Sequence, residues 1–216
     1  MTTAIHHLSS QLAAATPDTR PPHLDGPAYA DVVRLAGRAP GWLDTAVADW
    51  STYGLLLFAV LMAWGWWRAR RTDAETALLA LAAPVLVVAA FAVDLALKSA
   101  VREDRPCRTL RLATLETCPA PGDWSFPSNH TALAAAAAVA LWCVSRRLGA
   151  LAVLAAAAMA VSRVWVGAHY PHDVLAGAAV GALTALAGTT LLRRRPSLAR
   201  NLAATRLRPL LLAASP

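Results

Sequence analysis

Five long apolar runs, separated by short basic clusters, constrain this chain more than any other feature. They are Trp50 to Trp67, Ala74 to Leu97, Thr131 to Ser145, Leu148 to Ala168 and Val174 to Leu192. A helix that crosses a bilayer needs ~20 apolar residues, and it must satisfy its own backbone because hydrocarbon offers no hydrogen bonds. The third run is short and alanine-rich from Thr131 through Ala140, a composition that also suits a buried soluble helix. Its neighbours favour a span. The expectation is an all-α polytopic membrane helix bundle of about five transmembrane helices. Charged residues make up 15% of the chain and hydrophobic ones 57%, and soluble domains carry about 25% charge. The net charge of +7 does not point to nucleic acid, because the arginines mark the ends of apolar runs and cover no aromatic-interleaved surface. The expected partner is the lipid bilayer.

The flanks read differently. Residues 1–27 are rich in Pro, Thr, Ser and Ala and have no basic stretch followed by an apolar one. They read as a disordered N-terminal segment and not as a cleavable signal. Residues 28–49 mix Val32, Val33, Leu35, Leu43 and Val47 with Asp31, Arg34, Arg38, Asp44 and Asp49, too many charges to span. An N-terminal interfacial amphipathic helix, or a pair, anchored by Trp42 and Trp50 is expected there. The membrane domain then runs over residues 28–195. Residues 196–216, with Arg200, Arg206 and Arg208 among leucines, read as a basic cytoplasmic tail against anionic lipid.

Basic clusters orient the spans. Arg68, Arg70 and Arg71 follow the first run, Arg146 and Arg147 the third, and Arg193 to Arg195 the fifth. With five spans all three fall on one side, which the positive-inside rule makes cytoplasmic. The opposite, extracytoplasmic side receives the loop from Lys98 to Phe126 and the ends of the runs at His130 and His169.

Three strings meet on that side: Lys98-Ser-Ala-Val-Arg-Glu-Asp-Arg105-Pro106, Pro127-Ser128-Asn129-His130, and Ser162-Arg163 with His169 and Asp173 behind it. A phosphoryl group in transfer spreads negative charge over its oxygens, and fixed cations can stabilise it. Lys98, Arg105 and Arg163 are the candidates, the arginines because a planar fork holds two oxygens at once. Lys98 alone also fits an interfacial snorkelling residue, and Asp94, one turn earlier, can pair with it. If a helix begins near Ala168, Asp173 can accept one ring N–H of His169 and leave the other nitrogen to attack phosphorus. His130, at a helix start, can protonate the leaving oxygen. His172 fits no role and reads as interfacial. Arg108 and Arg111, on the same loop, can meet a second phosphate or be solvated loop charge.

These strings resemble the signature of the type-2 phosphatidic acid phosphatase superfamily: Lys-x6-Arg-Pro, Pro-Ser-Gly-His and Ser-Arg-x5-His-x3-Asp. One position departs, Asn129 in place of glycine. The wider context, Trp124 to Thr131 and Ser162 to Val174, is similar to the bacterial undecaprenyl pyrophosphate phosphatase branch. The resemblance implies hydrolysis of a prenyl pyrophosphate on the outer face, with His169 as the nucleophile that becomes a phosphohistidine, Asp173 orienting it and His130 as acid. It implies phosphoryl contacts from Lys98, Arg105, Arg163, Ser128 and the Asn129 N–H, with no metal and no cofactor. It also implies a place in recycling the carrier lipid of cell-wall synthesis.

Other readings stay open. The same chemistry serves phosphatidylglycerophosphate, phosphatidic acid or a prenyl-phosphoryl sugar phosphate. A metal hydrolase on His130, His169 and Asp173 lacks a close His-x3-His pair, and a serine hydrolase lacks a nucleophile elbow. A lipid-binding or transport protein is the non-catalytic alternative. Cys107 and Cys118 share the extracytoplasmic loop, where a disulfide can form, or stand as two thiols; Cys143 lies in the third run. Gly167, Gly177 and Gly181 suit close helix packing, and the last two can also form a dimer face.

Overall fold

The computed structural model describes residues 25–213 and, among these, contains helices and no strands. In chain order the helices are α1 (Gly26–Ala36), α2 (Gly41–Tyr53), α3 (Leu55–Ala69), α4 (Ala74–Val101), the one-turn α5 (Pro106–Thr109), α6 (Asn129–Val144), α7 (Arg146–Trp165), α8 (Pro171–Arg193), α9 (Pro196–Ala203) and α10 (Arg208–Leu211). The disorder expected of residues 1–24 lies outside the described residues, and Gly26 and Pro27 already belong to α1.

Three helices, α4, α7 and α8, are long and apolar enough to cross a membrane, and α2 and α3, bent by 52° across Gly54, have the length and composition for a fourth crossing if the pair is one span. The first apolar run, Trp50 to Trp67, is thus divided at Gly54 between the end of α2 and most of α3. The fifth, α6, has 16 residues, about 24 Å at 1.5 Å per residue, short of a ~30 Å hydrocarbon core. It can be short because it is the axis of the bundle. It packs most extensively on α8, then on α7 and α4, and Ala132, Ala134, Ala136, Ala137, Ala138 and Ala140 are buried. Small side chains let neighbouring backbones approach closely, the usual basis of helix association in lipid. A Cβ on Gly181 would overlap the Ala132 carbonyl, and one on Gly177 would overlap that of Ser128. Both glycines are consumed inside the bundle, so the dimer-face reading falls.

Both ends of the described chain pack on the bundle. Tyr29 and Val33 of α1 bury against Val164, Tyr170 and Val174, and Tyr29 Oη donates to the Gly167 carbonyl at 2.9 Å. Gly167 itself has φ of 84°, the left-handed region that favours glycine. The tail docks through its apolar residues: Leu211 buries among Ala69, Ala77 and Ala80, Trp66 Nε1 donates to the Leu210 carbonyl at 2.9 Å, and the Ala213 N–H reaches the Arg70 carbonyl. Leucines spaced along residues 202–212 gave it an apolar face to dock. The basic clusters gather at one end of the bundle, where Arg68 and Arg71 share a cavity with Ser145, and Arg193 and Arg195 share one with Asp73.

The α6–α8 contact leaves no room at Gly181. Gly181→Val should cost about 1–3 kcal/mol of stability by overpacking, visible as a lowered thermal midpoint in detergent, whereas Leu183→Ala on the exposed face of α8 should leave the midpoint nearly unchanged.

Candidate active site

At the opposite end, four helix termini and the 102–128 loop converge. Lys98 closes α4, Arg163 ends α7, His130 opens α6 and Asp173 lies in the first turn of α8. Lys98, Arg105, Arg163, His169 and Asp173 are all buried, so every charge among them needs a partner.

Asp173 organises the histidine. The helix begins at Pro171, later than expected, so His169 stands before it and the pair does not meet through helical i,i+4 spacing. Instead Asp173 sits at the third helical position and its Oδ2 accepts the Tyr170 N–H at 2.8 Å, capping the helix. The same oxygen faces His169 Nδ1 at 3.3 Å and accepts the Ser125 hydroxyl. Ser125 Oγ lies 3.4 Å from His169 Nδ1. Its other oxygen, Oδ1, faces His172 Nε2 at 3.3 Å.

With Nδ1 turned to a carboxylate, Nε2 carries the lone pair. Arg105 Nη1 stands 3.5 Å from that nitrogen and donates to the Ala168 carbonyl at 3.0 Å. Burial pushes the His169 pKa down to about 3, against the opposing pull of Asp173. A neutral imidazole beside a fixed guanidinium can attack an electrophile whose oxygens the guanidinium holds.

Each of the three cations is already engaged. Lys98 Nζ donates to the carbonyls of Trp124 at 2.9 Å and Ser125 at 3.3 Å. It does not hydrogen-bond Asp94, whose two oxygens are buried without a hydrogen bond among the described residues. The ammonium reaches forward into the loop, away from the preceding turn. Arg105 holds Asp123 Oδ1 at 2.9 Å, and Arg163 holds the Ser51 hydroxyl at 2.5 Å and Glu116 Oε2 at 3.0 Å. His130 lines a cavity of about 410 Å³ with Arg163, Ser51 and Glu116. Ser128 caps α6, taking the Thr131 hydroxyl at 3.2 Å and giving its N–H to the Asp173 carbonyl, and Asn129 is the first residue of that helix, whose leading N–H groups lack intrahelical acceptors.

Arg108 and Arg111 stay apart. Arg108 donates to the Pro119 carbonyl, Arg111 is exposed with a left-handed φ of 51°, and neither bonds the histidines or the three inner cations among the described residues. Cys107 and Cys118 form a disulfide, Cα to Cα 5.9 Å, within this loop. His172 is no idle interfacial residue: Nδ1 meets Asp25 at 2.9 Å and Nε2 meets Glu103 at 3.0 Å, tying α1 and the loop to the start of α8. Glu103, His172 and Asp173 are also the group among the described residues whose ligand atoms lie close enough to hold a metal ion. Reading the sequence missed Ser125, although it stands inside the Trp124 to Thr131 string. It also missed Ser51, Glu116 and Asp123, which no spacing links to the motifs.

The family model described as the PAP2 superfamily matches residues 76–197. Undecaprenyl-diphosphatase BcrC of Bacillus subtilis (strain 168) is 29% identical over 133 residues, 62% of this chain and 66% of that protein. Decaprenylphosphoryl-5-phosphoribose phosphatase of Mycobacterium tuberculosis is 37% identical over 94 residues, 43% of this chain and 50% of that one. The matches thus span half to two thirds of these relatives. A solved structure, that of a transmembrane PAP2 type phosphatidylglycerolphosphate phosphatase from Bacillus subtilis, aligns with a TM-score of 0.58 at 21% identity over 95% of this chain and 92% of that chain, so the fold is shared.

The depressed pKa makes a direct forecast. His169 should stay neutral as pH falls from 8 to 5, because protonation needs pH near 3. Its ring ¹⁵N shifts in detergent should report one Nδ1–H tautomer throughout that range; a titration near 6.5 would contradict the burial argument.

Proposed function

The chain belongs to the PAP2 superfamily of membrane phosphatases, and from that premise we propose that it hydrolyses a prenyl pyrophosphate, taking undecaprenyl pyrophosphate to undecaprenyl phosphate and inorganic phosphate. The observation that carries the chemistry is the buried His169, with one nitrogen turned to Asp173 and the other beside Arg105. In the proposed reaction His169 Nε2 attacks the terminal phosphorus, the bond to the bridging oxygen breaks, and His130 gives a proton to that oxygen. A water then loses its proton to His130 and cleaves the phosphohistidine, freeing His169 and phosphate. Lys98, Arg105 and Arg163 neutralise the phosphoryl oxygens, and Ser128 with the Asn129 N–H completes the cradle at the start of α6. Asp173 stabilises the charge that His169 gains, while Ser125 and the Tyr170 N–H hold Asp173 in place.

The substrate assignment leans on the undecaprenyl-diphosphatase relative. The decaprenylphosphoryl-phosphoribose phosphatase likeness favours a second reading on the same site, a prenyl-phosphoryl sugar phosphate. Both present a terminal phosphate on a polyprenyl chain, which fits a site at the end of lipid-embedded helices. The arginine clusters at the other end support a site facing outside the cytoplasm, where it would return carrier lipid to cell-wall synthesis.

Purified protein offered undecaprenyl pyrophosphate, a prenyl-phosphoryl sugar phosphate, phosphatidylglycerophosphate and phosphatidic acid should release phosphate fastest from the first, and excess EDTA should not stop it. His169→Ala should lower the rate by at least about 10³-fold and Asp173→Asn by about 10²-fold or more. A preference for any other lipid in the panel overturns the substrate, and substantial turnover by His169→Ala overturns the nucleophile.

For orientation, in intact cells on a background without native cysteines, a membrane-impermeant thiol reagent should modify a cysteine placed at the exposed Ala113 and spare one at the exposed Thr72. The reverse pattern would put the site in the cytoplasm.

A further inference from the structure

Both arginines that face the proposed phosphoryl group already hold a carboxylate from the 102–128 loop. Arg163 grips Glu116 with its fork, Nη1 to Oε2 at 3.0 Å and Nη2 to Oε1 at 3.3 Å, the two-point geometry in which a guanidinium takes phosphate oxygens. Arg105 grips Asp123 Oδ1 at 2.9 Å and its backbone carbonyl at 3.1 Å. The arginine side chains are 5% and 8% exposed, whereas the carboxylates are 38% and 50% exposed. Each pair thus has a buried cation and an outer, partly solvent-exposed anion on a loop. Glu116 also lines the cavity that contains His130 and Arg163, on the approach to one of the two arginines.

We propose that Glu116 and Asp123 are tethered competitors for the phosphate subsite, set so that the singly charged phosphodiester headgroups of surrounding lipids cannot occupy it. This rests on the reading that Arg105 and Arg163 bind phosphoryl oxygens. A buried arginine stripped of its partner is costly, so an entering anion must replace the carboxylate it expels. A phosphodiester brings one negative charge and exchanges it for one, with little gain. A terminal phosphate brings nearly two and gains from the exchange. The competitor is part of the chain, inside or just beyond the loop closed by Cys107 and Cys118, so its effective concentration is high and constant. A site that opens among headgroups needs such a threshold, because phosphodiesters outnumber any substrate there.

The test is equilibrium binding, read by calorimetry with inorganic phosphate at pH 8 in uncharged detergent micelles, then in micelles with rising fractions of phosphatidylglycerol. Wild-type affinity should hardly change as phosphatidylglycerol is added. Glu116→Gln should bind phosphate about tenfold more tightly in its absence and lose that gain as it is added. Asp123→Asn repeats the test on the other arginine should the first variant fail to fold. Glu75→Gln, an exposed charge at the far end, controls for net charge and should behave as wild type. Equal phosphatidylglycerol sensitivity in wild type, Glu116→Gln and Asp123→Asn would overturn the proposal, as would weaker phosphate binding in the two variants. Because the readout is binding, a wild type that binds phosphate but cleaves no prenyl pyrophosphate removes the substrate assignment and leaves this proposal standing.

Discussion

One buried carboxylate oxygen, Asp173 Oδ2, is the contact on which the site depends. It caps α8 through the Tyr170 N–H, receives the Ser125 hydroxyl and faces the His169 ring. A helix N-terminus favours a negative charge within its first turn, so the carboxylate belongs there for structural reasons before any chemistry is considered. Its position then dictates which histidine nitrogen faces away from it, toward Arg105. The helix cap and the proposed mechanism share an atom, so a change at this point would touch both.

Around that contact the bundle is built to bring backbones together. The alanines of α6 and the glycines of α8 leave little side chain between the helices, so Ser128 N–H can bond the Asp173 carbonyl directly across the interface. The string that contains His130 and the string that contains His169 are thereby fastened by main chain. The long side chains Lys98, Arg105 and Arg163 enter from helix ends and loop, where acceptors exist to meet them.

How much of this was legible in the sequence follows from where each contact lies along the chain. Apolar runs and arginine clusters marked the helices, since hydrocarbon imposes length and composition directly, and motif residues marked the histidines and cations. The break at Gly54 was marked only weakly, by Ser51, Thr52 and Gly54 at the head of a run that is apolar from Leu55 onward, and the 52° bend was not read from them. Nor was the docking of Leu211 among Ala69, Ala77 and Ala80 legible, since leucines interspersed with arginines do not say which partner an apolar face will meet. The Asp94 and Lys98 pairing failed because helical spacing allows a contact without requiring it, and the loop offered Lys98 two carbonyls. His172 and Ser51 acquired partners 147 and 112 residues distant, separations over which no local pattern carries information.

Those separations bear on how the chain is made. Tyr29 of α1 waits for the Gly167 carbonyl, 138 residues later, and Asp25 waits for His172. Contacts so remote in sequence close late, after the loop entropy between them has been overcome. During synthesis Asp25 and Tyr29 precede their partners, whereas Arg163 follows Ser51 and Glu116, the two residues it holds. The pieces of the centre are therefore brought together late: the carboxylate that faces the His169 ring belongs to the first turn of α8, so this arrangement exists only at the end of assembly and is not accumulated along the way.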